Sequence, residues 1–272
     1  FKKKLNIRSK KKIEFDPVTD ADINIQKKIN KIIEKEYPDH SILGEEESKL
    51  KDSIFEWCID PIDGTKSFIQ GVPMWGTLIS LAKNNKIILG IADIPAIDER
   101  YIGYSNISYK IVKGKKSYLK VKKINKLKDA VLNTTSPYVF ENKNDQKSFE
   151  RLSLKVKSTR LGGDCYSYCL LADGHVDIIV ESGLKPWDIR ALEPIIKNSG
   201  GVVKTWEGKS ILNGGRIIAC NNMQLFKKST NILKKNPANK KLGFNLFICL
   251  LIRQEHPLLI AISSQWTYHQ IL

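Results

Sequence analysis

Between residues 20 and 37, Ile25, Ile29, Ile32 and Ile33 recur at the spacing of one helix face, and Tyr37-Pro38-Asp39-His40 closes the run. Asp16-Pro17-Val18-Thr19-Asp20 supplies turn chemistry just ahead of it. The pattern predicts a helix with one apolar stripe, followed by a loop that delivers Gly44 and Glu45. From Phe55 the apolar positions become strand-like, in runs over 55–59, 76–82, 87–94 and 100–104, with Asn84-Asn85 as a hairpin turn. That reads as an antiparallel meander. The lysine-rich stretch 110–128 is irregular and predicts a boundary or an exposed hairpin.

The second half alternates strand patterns (155–161, 176–180, and near 131–135, Val202 and Ile217) with helical ones (164–173 and 187–198), which argues for a sheet covered by helices. The division that follows is an N-terminal α+β half over 1–128, a C-terminal α/β half over 129–236 and an atypical tail over 237–272. The tail's apolar runs, 244–252 and 258–262, are split by Arg253-Gln254-Glu255-His256. Neither approaches the ~20 residues of a membrane span, so no membrane partner is expected.

Composition changes this picture little. The 272 residues can bury a sizeable core. The net charge of +16 invites a nucleic-acid reading, yet only seven of the 45 basic residues are arginine and the lysines are scattered. With no zinc-finger spacing and no aromatic-basic interleaving, no nucleic-acid partner is expected. Cys58, Cys165, Cys169, Cys220 and Cys249 are odd in number and without paired spacing, which suits reduced thiols, and with no signal-peptide pattern points to the cytoplasm. Trp75, Trp187 and Trp206 read as packing, His40 and His175 as surface or loop residues, and Cys165 with Cys169 as one core face of a helix.

The chemistry lies in three acidic stations. Asp60 ends an apolar strand, Pro61 fixes the turn, the Ile62 carbonyl can face inward and Asp63 follows three positions on. Such oxygen donors suit magnesium, which commonly shares its shell between carboxylates and phosphate oxygens. If a helix opens at Gly64-Thr65, its free amides can take a phosphate. Glu45 in Gly44-Glu45-Glu46 and Asp188 in Lys185-Pro186-Trp187-Asp188 are the other two stations. Each has a plainer reading: a turn for Asp60 and Asp63, a solvated charge run for Glu45, and helix-end residues for Asp188 and Asp22.

Taken together, Gly44-Glu45-Glu46, Asp60-Pro61-Ile62-Asp63-Gly64-Thr65 and Trp187-Asp188 with Gly200-Gly201 resemble the inositol monophosphatase family of magnesium-dependent, lithium-sensitive phosphatases. The resemblance runs from about Lys11 to Cys220. Residues 68–77, Gly162-Gly163-Asp164-Cys165-Tyr166 and 181–188 are similar to the histidinol-phosphatase branch in particular. It implies a layered αβαβα sandwich of the inositol monophosphatase/fructose bisphosphatase type, two or three Mg2+ ions, a small phosphorylated substrate and a homodimer.

Carried over by residue, it makes Glu45, Asp60 and the Ile62 carbonyl ligands of one magnesium and Asp60, Asp63 and Asp188 ligands of a second, with Glu45 also serving a third. Thr65 paired with Asp22 would activate water, and the Gly64 and Thr65 amides would take phosphate oxygens. Asp164 and Glu181, with Asp188, would contact the substrate, the first two complementing a cationic alcohol such as histidinol. The plainer readings are an N-cap for Asp164 and a strand-end surface charge for Glu181. The activity implied is hydrolysis of L-histidinol phosphate in histidine biosynthesis; inositol monophosphate, 3′-phosphoadenosine 5′-phosphate and a catalytically silent binding protein are the alternatives.

Overall fold

The structure, a computed structural model, describes residues 7–9 and 17–234; the tail runs and Cys249 lie outside the described residues. A short antiparallel pair, β1 (Ile7–Ser9) and β2 (Pro17–Thr19), leads into helix α1 (Asp20–Glu36). Then follow β3 (Ser41–Gly44), β4 (Phe55–Asp63), the short helix α2 (Thr65–Gln70), β5 (Gly76–Lys83), β6 (Lys86–Ile94), β7 (Glu99–Tyr104), β8 (Ile107–Val112) and β9 (Lys115–Tyr118). The seven strands β3 to β9 form one sheet in chain order. Asn84 and Asn85 adopt left-handed conformations, φ 49° and 60°, as a tight two-residue hairpin requires.

The rest of the chain supplies β10 (Val131–Thr134), α3 (Lys143–Ser153), β11 (Ser158–Leu161), α4 (Asp164–Ala172), β12 (Ile178–Leu184), α5 (Pro186–Ile189), α6 (Leu192–Asn198), β13 (Val202–Thr205), β14 (Gly215–Cys220) and α7 (Met223–Leu233). Its five strands pair in the order β11-β10-β12-β14-β13, mixing parallel and antiparallel neighbours.

Side-chain alternation builds the layers. Along β14, Ile217 and Ala219 face a core shared with α4, α6 and the seven-stranded sheet, while Ile218 and Cys220 face a second core with α3 and α7. In β12, Ile179 points to the first core and Ile178 and Val180 to the second. A third, smaller core joins Ile33 of α1 to Ile42 and Ile59 on the other face of the seven-stranded sheet. The order is helix, sheet, helix, sheet, helix: the αβαβα sandwich of the α+β class. Among the described residues no helix is long and apolar enough to cross a membrane.

Within 110–128, β8 and β9 extend the meander as the exposed hairpin that the sequence allowed. Three local expectations need correction. The segment before Glu45 is not a loop: β3 pairs in parallel with β4. The predicted helix over 187–198 is two helices, because Pro194 has no N–H to give the Arg190 carbonyl one turn back, and Glu193 N–H reaches that carbonyl instead at 3.3 Å. The isoleucine stripe of α1 is not its most buried face. Asp22, Gln26, Asn30 and Ile33 are buried, whereas Ile32 is 64% exposed. Asn30 donates to the Glu47 carbonyl at 3.4 Å, and Gln26 lies against Gly44, so this polar face is spent on holding the turn around Glu45.

Helix α6 rests on the seven-stranded sheet through bare backbone. A β-carbon at Gly90 would lie 1.9 Å from the Ala191 carbonyl oxygen, and one at Gly103 would lie 2.4 Å from the Ile195 nitrogen. Gly90→Ala is therefore expected to cost at least about 2 kcal/mol through overpacking. Thermal unfolding monitored by circular dichroism checks this, and an unchanged midpoint would mean that α6 can lift away freely.

Candidate metal centre

In a regular strand, residues three apart point to opposite faces. Asp60 and Asp63 escape that rule because the β4–β5 register slips between them: Asp60 pairs with Leu78, but Asp63 pairs with Gly76. Pro61, which has no N–H to give the ladder, sits in this bulge, and its carbonyl accepts from Thr77 Oγ1 at 2.8 Å. The bulge resets the alternation, so both carboxylates reach the same side. Asp188, on α5, meets them there; one oxygen from each of the three lies within 4.8 Å of the others.

Glu45 joins from β3's end. Its backbone N–H donates to the Ile59 carbonyl at 3.1 Å, which pins it beside Asp60. Glu45, Ile62 and Thr65 line one pocket with the three aspartates, an open cavity of about 580 Å³ including its mouth.

Two of the carboxylates are held by backbone amides near helix starts. Cys165 N–H, in the first turn of α4, donates to Asp63 Oδ2 at 2.6 Å. Lys185 N–H, just before α5, donates to Asp188 Oδ2 at 2.7 Å. Both arrangements favour the anion. Asp60 has no such help: its Oδ1 is buried without a donor among the described residues.

Burial dominates the protonation equilibria. It pushes Asp60 well above the ordinary carboxylate range, with the charges of Glu45, Asp63 and Asp188 adding to it. Asp63 is raised by burial, then by Asp164 and Asp188, against the bonds from Cys165. Asp188 is pushed up to about 7, chiefly by burial, with the Lys185 amide opposing and Glu45 and Glu181 adding. A hard cation fits this donor set: it would relieve the repulsion, and Asp60 Oδ1 stands ready to accept it.

Thr65 opens α2, as anticipated, after Gly64 at φ 83°. A β-carbon on Gly64 would lie 3.0 Å from Asp164 Oδ2, so glycine is required there for both its backbone and its lack of a side chain. The expected Thr65–Asp22 pair is not formed. Thr65 Oγ1 donates to the Ile62 carbonyl at 3.1 Å, while Asp22 Oδ2 accepts the Thr19 N–H and hydroxyl at 2.8 and 2.5 Å in a capping box. Asp22 is engaged through Oδ2 at the start of α1, and the Thr65 hydroxyl bonds back along its own turn.

Asp164 does not cap its helix; Gly163 occupies that position. Asp164 is the first helical residue, at φ 42°, and its Oδ2 accepts from Ser67 Oγ at 2.9 Å. Nor is Glu181 a surface charge. It is buried in β12, accepting from Thr135 N–H and Tyr168 OH, both at 2.8 Å, and burial raises its pKa despite those bonds. Both residues line the same pocket. Sequence reasoning missed Ser67, Thr135 and Tyr168; only Tyr168 left a signal, four residues from Asp164 and so on the same helix face.

The model of the inositol monophosphatase family matches residues 1–238. The chain belongs to that family. It is 42% identical over 215 residues to the bifunctional phosphatase IMPL2, chloroplastic, of Arabidopsis thaliana; the match covers 78% of this chain but only 60% of the plant protein's length. It is 31% identical over 222 residues to a histidinol-phosphatase of Mycobacterium tuberculosis, covering 80% of this chain and 85% of that one. The solved structure of an inositol monophosphatase from Zymomonas mobilis superposes with a TM-score of 0.75 at 35% identity, covering 86% of this chain and 90% of the other. Members of the inositol monophosphatase family are metal-dependent phosphatases of small phosphorylated substrates, and the acidic cluster here is one that could hold a metal ion.

The cluster predicts an unusual pH response. Because Asp188 is raised from 3.8 to about 7, the metal-free folded protein holds a proton that the unfolded chain has released. The stability so gained is present at low pH and lost as pH rises through the folded value. In chelator, the melting temperature of the wild type relative to Asp188→Asn is expected to fall between about pH 4 and pH 7 and to level off above. Differential scanning calorimetry reads this, and a flat difference would rule out the raised pKa.

Proposed function

We propose that this phosphatase hydrolyses L-histidinol phosphate to L-histidinol and phosphate, using magnesium. The observation that carries the substrate choice is the pair of carboxylates flanking the phosphate end of the pocket: Asp164, held by Ser67 against Gly64, and Glu181, held by Thr135 and Tyr168. A substrate whose alcohol carries an amine and an imidazole gains from such a rim, and a second phosphate is repelled by it. The histidinol-phosphatases of M. tuberculosis and Chlorobaculum parvum, each 31% identical, support the same reading.

Glu45, Asp60, the Ile62 carbonyl, Asp63 and Asp188 would hold two or three magnesium ions. Bound magnesium supplies Lewis acidity, which makes an attacking water more acidic and neutralises the charge developing on phosphate oxygens. The residues themselves do the placing. Thr65, through its hydroxyl, would orient the water beside Glu45, and the amides of Gly64 and Thr65, both of which line the pocket, would receive phosphate oxygens. Asp22 acts indirectly, by fixing the start of α1, whose polar face holds the Glu45 turn.

The same proposal takes the chain as a homodimer in a reducing, cytoplasmic setting, with 1–128 and 129–236 as its two halves. The four described cysteines are buried free thiols, in keeping with that setting.

Phosphate release from L-histidinol phosphate, inositol 1-phosphate and 3′-phosphoadenosine 5′-phosphate, with and without magnesium, tests the reading. Histidinol phosphate is expected to give the highest kcat/KM, and Asp188→Asn is expected to lower it at least about a hundredfold. Asp164→Asn should raise KM for histidinol phosphate about tenfold and leave the inositol ester less affected. Preference for the inositol ester would sink the substrate assignment, and a folded protein inert toward every ester would favour a silent binding role.

A further inference from the structure

Arg190 follows Asp188 by two residues and is buried, which is costly for a guanidinium unless it is paired. Its Nη1 donates to Glu56 Oε1 at 2.6 Å, across 134 residues of sequence, and its Nε donates to the Leu212 carbonyl at 2.7 Å. Glu56 lies on β4, four residues before Asp60. Leu212 lies in the loop leading to β14. One planar side chain thus joins the strand that carries Asp60 and Asp63, the helix that carries Asp188, and the loop behind that helix.

Helix α5 is four residues long and stops before α6; Ile189 buries it in the shared core, and among the described residues Asp188 accepts a hydrogen bond from the Lys185 N–H. Apolar packing of this kind is non-directional. Sliding α5 along β4 by an ångström would part Asp188 from the other two carboxylates. The fork geometry of arginine, with two donors in fixed relation, opposes such a slide in a way that a single point contact does not.

We propose that Arg190 and Glu56 form a clamp that sets the position of Asp188 relative to Asp60 and Asp63, and so tunes metal affinity without touching metal or substrate. The inference rests on the metal-centre reading above, and makes Arg190 and Glu56 positioning residues. It also predicts a sign. If Arg190 mattered only as a nearby positive charge, removing that charge would tighten cation binding. If it positions Asp188, removing it loosens binding.

Titration of the purified full-length chain with Mn2+, followed by electron paramagnetic resonance, distinguishes these. Arg190→Gln is expected to weaken Mn2+ binding about tenfold, in the range that outer supports of metal ligands provide. Arg190→Lys, which keeps the charge but loses the fork, should also weaken it and decides the matter if the glutamine variant fails to fold. Asp177→Asn, which breaks buried bonds to Val131 and Asn221 elsewhere, serves as a stability control and should lower the melting temperature with Mn2+ affinity unchanged. Unchanged or tighter binding in the folded Arg190 variants overturns the clamp. A wild type that binds no Mn2+ overturns the metal reading itself, and the clamp with it.

Discussion

Three carboxylates brought within 4.8 Å of one another in a half-buried pocket repel strongly, and the surrounding structure is arranged to keep them there. The bulge in β4 turns Asp63 to the side of Asp60. Two amides, from Cys165 and Lys185, stabilise Asp63 and Asp188 as anions. Asp60, between them, has one buried oxygen with no hydrogen-bond partner among the described residues, which a proton or a cation would satisfy. A site kept open in this way gives up stability for affinity.

The acidic stations were legible because their spacing and company are distinctive: Asp-Pro-Ile-Asp-Gly-Thr, Gly-Glu-Glu and Trp-Asp each mark a chain reversal carrying a carboxylate. The meander was legible from apolar alternation and the Asn84-Asn85 turn. What eluded the sequence was tertiary in origin. The isoleucines of α1 predicted the wrong buried face because Gln26 and Asn30 are hydrophilic by type yet buried by the turn they hold. Helices α3 and α7, which the sequence reading did not anticipate, cover the outer face of the five-stranded sheet, and α3 is strongly polar on average. Thr65 and Asp22 were paired by resemblance, and local hydrogen bonding gives each a nearer partner.

Glu181 and Asp164 differ in freedom. Both oxygens of Glu181 already accept bonds from protein donors, which fixes its orientation. Asp164 receives one described bond, from Ser67, and lies against Gly64. In the proposed reading, discrimination between phosphate esters would therefore come mainly from Asp164, which retains an oxygen to offer.

The bond between Arg190 and Glu56 spans 134 residues, and Asp188 lies beside it. A chain emerging from the ribosome can complete the meander, with Asp60 and Asp63 in place, long before the segment that completes the centre has been made. Contacts so distant in sequence close late. Until α5 docks, the growing polypeptide would hold only Asp60 and Asp63 of the three clustered aspartates.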